Sequence, residues 1–502
     1  MRRLAAALAL VAACTPATEA EVQAPTPPAT VVESTSTTVP EGSKGSVGIG
    51  DRLYPSLGNG GYDVDTYDFS LSVALDGRVT GDAQIHLTPT LHLSQFNLDL
   101  SGLTVEDVTV AGFPDVTWEQ EDRELIIDLA GTAVIGSDVI IDVRYSGVPE
   151  PVPASAVPFE PGWQVGTGSF YLFSQPDGAS SLFPVNDHPM DRADVVLRVS
   201  VPTGVEVVSG GDLLSMTSAV DGDTFTWSMD AVAPYLIPLA IGQFDLVMDQ
   251  TLDGVRYDVW ASTPLAEDRR LGAFEIMPEV IGFFEERFGP YPFDRAGALI
   301  VDDDLAAALE TQTIPTYTTV SAGWGEVVIA HELAHQWFGD AIALSQWDVI
   351  WLNEGFATFA HWLWLEESQG RSRYLAEITA AYRRFSGLGL VDGGLSPDDA
   401  VRRVVDAFPP PDDPRPADLF NASVYERGGL ALAALREEVG DERLFELIRA
   451  YTTRFVGRAI DTETFIDLVD ETLGASAADL TRSWVQDRIV PPFPSLGLQP
   501  PA

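Results

Sequence analysis

One cysteine, Cys14, is all that this 502-residue chain contains. No intrachain disulfide can form, and a structural metal site built from thiolates is excluded. Lysine is as scarce: Lys44 stands alone, and every other basic side chain is an arginine. Lys and Arg together number 29 against 75 acidic residues, a formal net charge of -46. A surface this acidic repels nucleic acid and anionic lipid, so neither is expected as a partner through a basic patch. Histidine is rare, at six. Long apolar runs are missing apart from Leu4 to Ala13. Ten helical residues span about 15 Å against roughly 30 Å of hydrocarbon, so that run is too short to cross a bilayer.

The short run reads as an export signal. Arg2 and Arg3 precede it, and it ends in Val11-Ala12-Ala13-Cys14. The end resembles a bacterial lipobox, whose cysteine is acylated and becomes the new N-terminus. An ordinary signal peptide with an incidental cysteine is the alternative. The expectation is an exported chain, lipid-anchored through Cys14 at the bacterial cell envelope, with membrane contact through that anchor alone. Residues 1–14 are then the signal peptide. Residues 15–50, rich in Thr, Pro, Ala, Ser and Glu, read as a disordered linker.

The rest carries 45% hydrophobic and 10% aromatic residues over the whole sequence, enough for sizeable cores. Order is expected from about Asp51. Residues 51–247 alternate: Tyr67, Phe69, Leu71, Val73 and Leu75 stand every second position, as do Val195, Leu197, Val199 and Val201. Period two with Gly, Pro and Asp punctuation predicts an N-terminal antiparallel β-sandwich. Past residue 248 the period becomes helical. Helix is expected over 264–288, then a strand at Ala298–Val301, then a helix ending near Gly339, then one over about 346–368. Residues 391–502 read as a mainly helical region that completes the domain spanning 248–390. The fold class is multidomain.

Chemistry concentrates in His331-Glu332-Leu333-Ala334-His335 and in Glu354, eighteen intervening residues later. Residues four apart share one helix face, so both imidazoles can address one ion. Two neutral imidazoles and a carboxylate match a catalytic Zn2+ with an open fourth position, one ion per chain. Glu332 projects near the same face. Two histidines and a glutamate also occur on ordinary surface helices. Here the neighbours Val327, Val328, Ile329, Ala330, Trp337 and Phe338 are apolar, and unpaired charge in such a helix is costly. Asp340 reads equally as a carboxylate orienting a zinc ligand or as a loop residue. His361, two turns past Glu354, reads as structural.

Further motifs follow in a set order: Gly58-Asn59-Gly60-Gly61-Tyr62, Leu182-Phe183-Pro184-Val185-Asn186-Asp187-His188-Pro189, Ala308-Leu309-Glu310-Thr311-Gln312-Thr313, Trp351-Leu352-Asn353-Glu354-Gly355 and Val424-Tyr425-Glu426-Arg427-Gly428. In these the chain resembles the membrane alanyl aminopeptidase family of zinc peptidases, and its short members in particular. The resemblance implies a thermolysin-like α+β catalytic domain behind the β-sandwich. It also implies roles. His331, His335 and Glu354 would hold Zn2+, and Glu332 would act as general base. Tyr425 would hydrogen-bond the oxyanion. Glu310 would pair with the free α-ammonium of a peptide, with Gln175 near the first substrate pocket. Ala307, Leu309 and Thr311 depart from the glycine, methionine and asparagine of the animal-type motif, which bears on residue preference. The implied activity is hydrolysis of the N-terminal peptide bond of peptides with a free N-terminus. A zinc endopeptidase with the same ligands and a noncatalytic exported peptide-binding scaffold are the alternatives.

Overall fold

The computed structural model describes residues 41–153 and 156–501. The expected signal peptide, Cys14 and most of the expected linker lie outside the described residues. Order begins earlier than Asp51. Ser43–Lys44 already pairs in parallel with Leu93 and Gln95, because main-chain groups of a short polar segment can complete a sheet edge without burying side chains.

Alternation builds the N-terminal part. Tyr62–Val73 lies inside a seven-stranded sheet and buries every second side chain from Tyr67 to Val73, after a register shift between Val64 and Thr66. One four-stranded sheet contains Leu93–Asp99 and Glu124–Ala133, and a second contains Ser169–Phe173 and Leu239–Gly242. Leu75, expected to continue the inward row, is 73% exposed. The strand has ended at Val73, and Leu75 sits in the turn that leads to Gly77. Apart from the Ser43–Lys44 edge, pairing in these sheets is antiparallel except where Ala193–Val201 lies parallel to Tyr62–Val73. The chain reaches that position by a long crossover after Gly147, so no hairpin dictates direction.

A five-stranded mixed sheet follows. Its first strand, Phe244–Leu252, spans the expected boundary between 247 and 248. Its last strand in space is Ala308–Leu309, an edge paired only with Thr316–Thr318. The helix expected over 264–288 is partly 3-10: turns at Thr263–Leu265 and Arg269–Ile276 precede α1 (Met277–Phe288). Next come α2 (Glu326–His335) and α3 (Trp351–Gln369), which pack together, and then the C-terminal helices from Gly428 to Gln486. Among the described residues no helix is long and apolar enough to cross a membrane.

Two of the motifs form a polar joint and do not enter the site. Asn59 donates its amide to Asn186 Oδ1 at 2.6 Å, and Asp187 donates its amide to Asp99 Oδ2 at 2.9 Å. Asp51 Oδ2 faces His188 Nε2 at 3.2 Å and accepts the amide of Trp347 at 2.6 Å. Trp347 opens the turn just before α3. These groups are buried, so each lost bond would strand a polar atom.

Candidate active site

Helix α2 is apolar on most of its surface and sits deep in the core. It ends at His335, four residues before Gly339, the position expected to stop it. Gly339 instead shapes the loop behind the ligand. Its φ is +133°, and a Cβ there would meet Asn353 Nδ2 at 3.0 Å. Trp337 packs on Phe284, Phe288 and Tyr291, and Phe338 packs on Phe356 and Tyr451. This aromatic collar fixes α2 against α1 and α3.

Glu354 lies in the first turn of α3, where a helix favours negative charge. His331 Nε2 stands 3.2 Å from Glu354 Oε2 and 3.2 Å from His335 Nε2. The third side, His335 Nε2 to Glu354 Oε2, is 3.3 Å. A tetrahedral ion with bonds of about 2.0–2.1 Å has ligand-to-ligand edges of about 3.3–3.4 Å. The triangle therefore fits a zinc ion. Burial pushes Glu354 upward, but the two imidazoles outweigh it and hold its carboxyl low. A charged ligand is thus ready for a cation.

The remaining imidazole nitrogens are also placed. His335 Nδ1 lies 3.0 Å from Phe338 O, and His331 Nδ1 lies 3.2 Å from His361 Nδ1. Asp340, considered above as an orienting carboxylate, makes neither contact. It is buried, and neither of its oxygens has a hydrogen-bond partner. Burial keeps its pKa well above the usual carboxylate range.

Glu332, Glu310 and His335 form a second cluster, with one donor atom of each within 4.8 Å of the others. Burial raises Glu332 well above its ordinary value; the charges of Glu310 and Glu354 add to this and His335 opposes it. Glu310 follows the edge strand Ala308–Leu309 directly, and Gln175 Nε2 donates to its Oε1 at 2.6 Å. Burial raises Glu310 to about 7. Gln336, on the turn after α2, ties this loop down. Its Oε1 accepts from Thr313 N at 2.7 Å, and its Nε2 donates to Glu310 O at 3.3 Å.

Tyr425 comes from the far end of the chain. It sits in a π-helical turn, Ser423–Arg427, of the kind often found at functional sites. Buried Arg427 anchors that turn by donating to Trp484 O at 2.8 Å and to Asp487 O. Gly355 and Gly428 let α3 and this segment touch backbone to backbone: a Cβ on Gly355 would lie 2.8 Å from Gly428 Cα. The Tyr425 ring centroid then lies 6.0 Å from that of His331. Burial, with the charges of Glu354, Glu310 and Glu332, lifts the phenol far above its usual pKa, so it stays a donor.

All seven residues expected at the site meet in one cavity of about 670 Å3. His331, His335 and Glu354 form its cation triangle. Glu332, Glu310, Gln175 and Tyr425 surround it. The sequence reading missed His361, Trp324, Val327 and Val328, which also line it. Only the position of Val327 and Val328, three or four residues before His331 on one helix face, signals their place.

Residues 272–484 match the peptidase family M1 domain. An M1 zinc metallopeptidase from Deinococcus radiodurans is 32% identical, with a TM-score of 0.78 over 89% of this chain and 99% of that one. A mutant of it bound to a Tyr-Ser-Ala substrate gives 31% and 0.77, over 89% of this chain and 99% of that one. Aminopeptidase M1 of Arabidopsis thaliana is 24% identical over 456 residues, 86% of this chain and 49% of the relative. Probable aminopeptidase 1 of Sulfurisphaera tokodaii is 25% identical over 412 residues, 77% of this chain and 49% of the relative. The chain thus spans about half the length of these two curated relatives. With near-complete coverage of a zinc metallopeptidase at 32% identity, and with a donor triangle sized for zinc, the chain belongs to peptidase family M1.

Proposed function

We propose that the chain is a zinc-dependent aminopeptidase that hydrolyses the first peptide bond of peptides with a free N-terminus. One observation carries this reading: Glu310, clamped by Gln175, stands within 4.8 Å of Glu332 and His335. A peptide ammonium paired with Glu310 leaves room for one residue before the scissile carbonyl reaches Glu332. An endopeptidase has no use for a buried carboxylate there.

Zinc held by His331, His335 and Glu354 would supply Lewis acidity, acidifying water and polarising the carbonyl. The other steps belong to the chain. Glu332 takes a proton from the attacking water and passes it to the leaving amine. Tyr425 donates to the oxygen that gains charge. The free edge of Ala308–Leu309 offers main-chain groups to an extended peptide. Gln175 and Glu310 hold the amine.

The test compares a free tripeptide with its N-acetylated form, with products read by mass spectrometry. Loss of one N-terminal residue from the free form alone is expected. Equal cleavage of both, or internal cleavage, overturns the proposal. The reading also includes export and anchoring through an acylated Cys14, supported by the Arg2 to Cys14 pattern.

A further inference from the structure

His361 lines the same cavity and has no part in the chemistry above. Its Nδ1 stands 3.2 Å from His331 Nδ1, and only one hydrogen can lie between two such nitrogens. The other His331 nitrogen, Nε2, belongs to the cation triangle. To give a lone pair there, Nε2 must be bare. A neutral imidazole bare at Nε2 carries its hydrogen on Nδ1. That hydrogen then points at His361 Nδ1, which must accept it. His361 is therefore neutral and protonated on Nε2 alone.

His335 solves the same problem with a main-chain acceptor, Phe338 O. Its hold on the ring comes from the fold and survives side-chain substitution. His331 has a side chain, His361, at Nδ1, with the main chain of Ala357 a smaller influence on the ring. Helix α3 supplies both contacts: Glu354 faces Nε2, and His361, two turns later, faces Nδ1. One helix thus grips one ring at both nitrogens. Metal-bound histidines elsewhere usually donate to a carboxylate, a carbonyl or water. Here a second imidazole takes that place and adds no charge.

We propose that His361 is a positioning residue for the metal centre, fixing the tautomer and ring plane of His331 as a neutral hydrogen-bond acceptor. The inference rests on the zinc reading above and deepens it. The experiment measures zinc affinity of the full chain by competition with a chromophoric chelator. The variants are His361→Leu and His361→Phe, which cannot accept, and His361→Gln, which can. The two non-accepting variants should bind zinc about 10- to 100-fold more weakly. The glutamine variant should recover most of that loss, while the metal-free forms of all variants melt alike. Phenylalanine keeps a ring of similar shape, so it answers if leucine prevents folding. Parental affinity in the non-accepting variants overturns the inference, and so does equal weakening in all three. A parent chain that takes up no zinc would overturn the zinc reading itself, and this inference with it. Parental zinc uptake that is indifferent to residue 361 would overturn this inference alone.

Discussion

Replacing Glu310 by Gln isolates charge from shape. The amide has the size of the carboxylate, and its oxygen can still accept from Gln175 Nε2, which now lies 2.6 Å from Glu310 Oε1. Gln336 holds the main chain at residue 310 and is untouched. The fold should survive, and only the anionic partner for the substrate ammonium disappears. Glu310 is 3% exposed, so the pair it makes is desolvated. Removing one member of a buried charge pair costs about 2–5 kcal/mol. At 1.36 kcal/mol per tenfold this is about a 30- to 5,000-fold loss in kcat/KM for free-amine substrates. The assay follows release of the first residue from a tripeptide and, in parallel, turnover of the N-acetylated form. The preference for the free amine should collapse together with kcat/KM, while zinc content stays parental. A glutamine variant that keeps its preference for the free amine would show that another group reads the chain end.

Three further outcomes are expected. Tyr425→Phe should lower kcat by about 10²- to 10³-fold with zinc retained, because one donor to the developing charge is lost; unchanged steady-state kcat would remove Tyr425 from the reaction. Gly355→Ala should cost about 1–3 kcal/mol of stability and lower turnover, because the new methyl meets the Gly428 backbone beside Glu354; an unshifted thermal melt would show that the segments can part freely. Asp191, buried and pushed up to about 8, keeps a proton in the folded chain that the unfolded chain releases above about 4. Its contribution to stability is therefore full in acid and lost as pH rises through about 8, so relative to Asp191→Asn the parent should weaken between pH 5 and 8. Parallel urea-unfolding curves for the two across that range would contradict this.

The cation triangle was readable because its chemistry is local: two imidazoles four apart on a helix, and a carboxylate in the first turn of the next. Strands were readable where alternation was uninterrupted, as from Tyr67 to Val73. The same rule failed at Leu75, where the chain turns and the pattern outlasts the strand. Gly339 looked like a helix stop, but three residues of ordered loop separate it from the last helical position. His361 was read as structural, and its contact with His331 was hidden for a different reason. Spacing along α3 puts it two turns from Glu354, and only the packing of α2 across α3 shows that His331 lies between them. Asn186, Asp187 and His188 stood out as a motif, yet nothing in the letters separates a polar joint from a reactive centre. Burial and partners make that distinction.

The bond from the Trp347 amide to Asp51 spans 296 positions of sequence. It ties the doorway of the helix bearing Glu354 to a residue near the start of the described chain. A fragment beginning after Asp51 would inherit every reactive group and still lack the peg that seats the third of them.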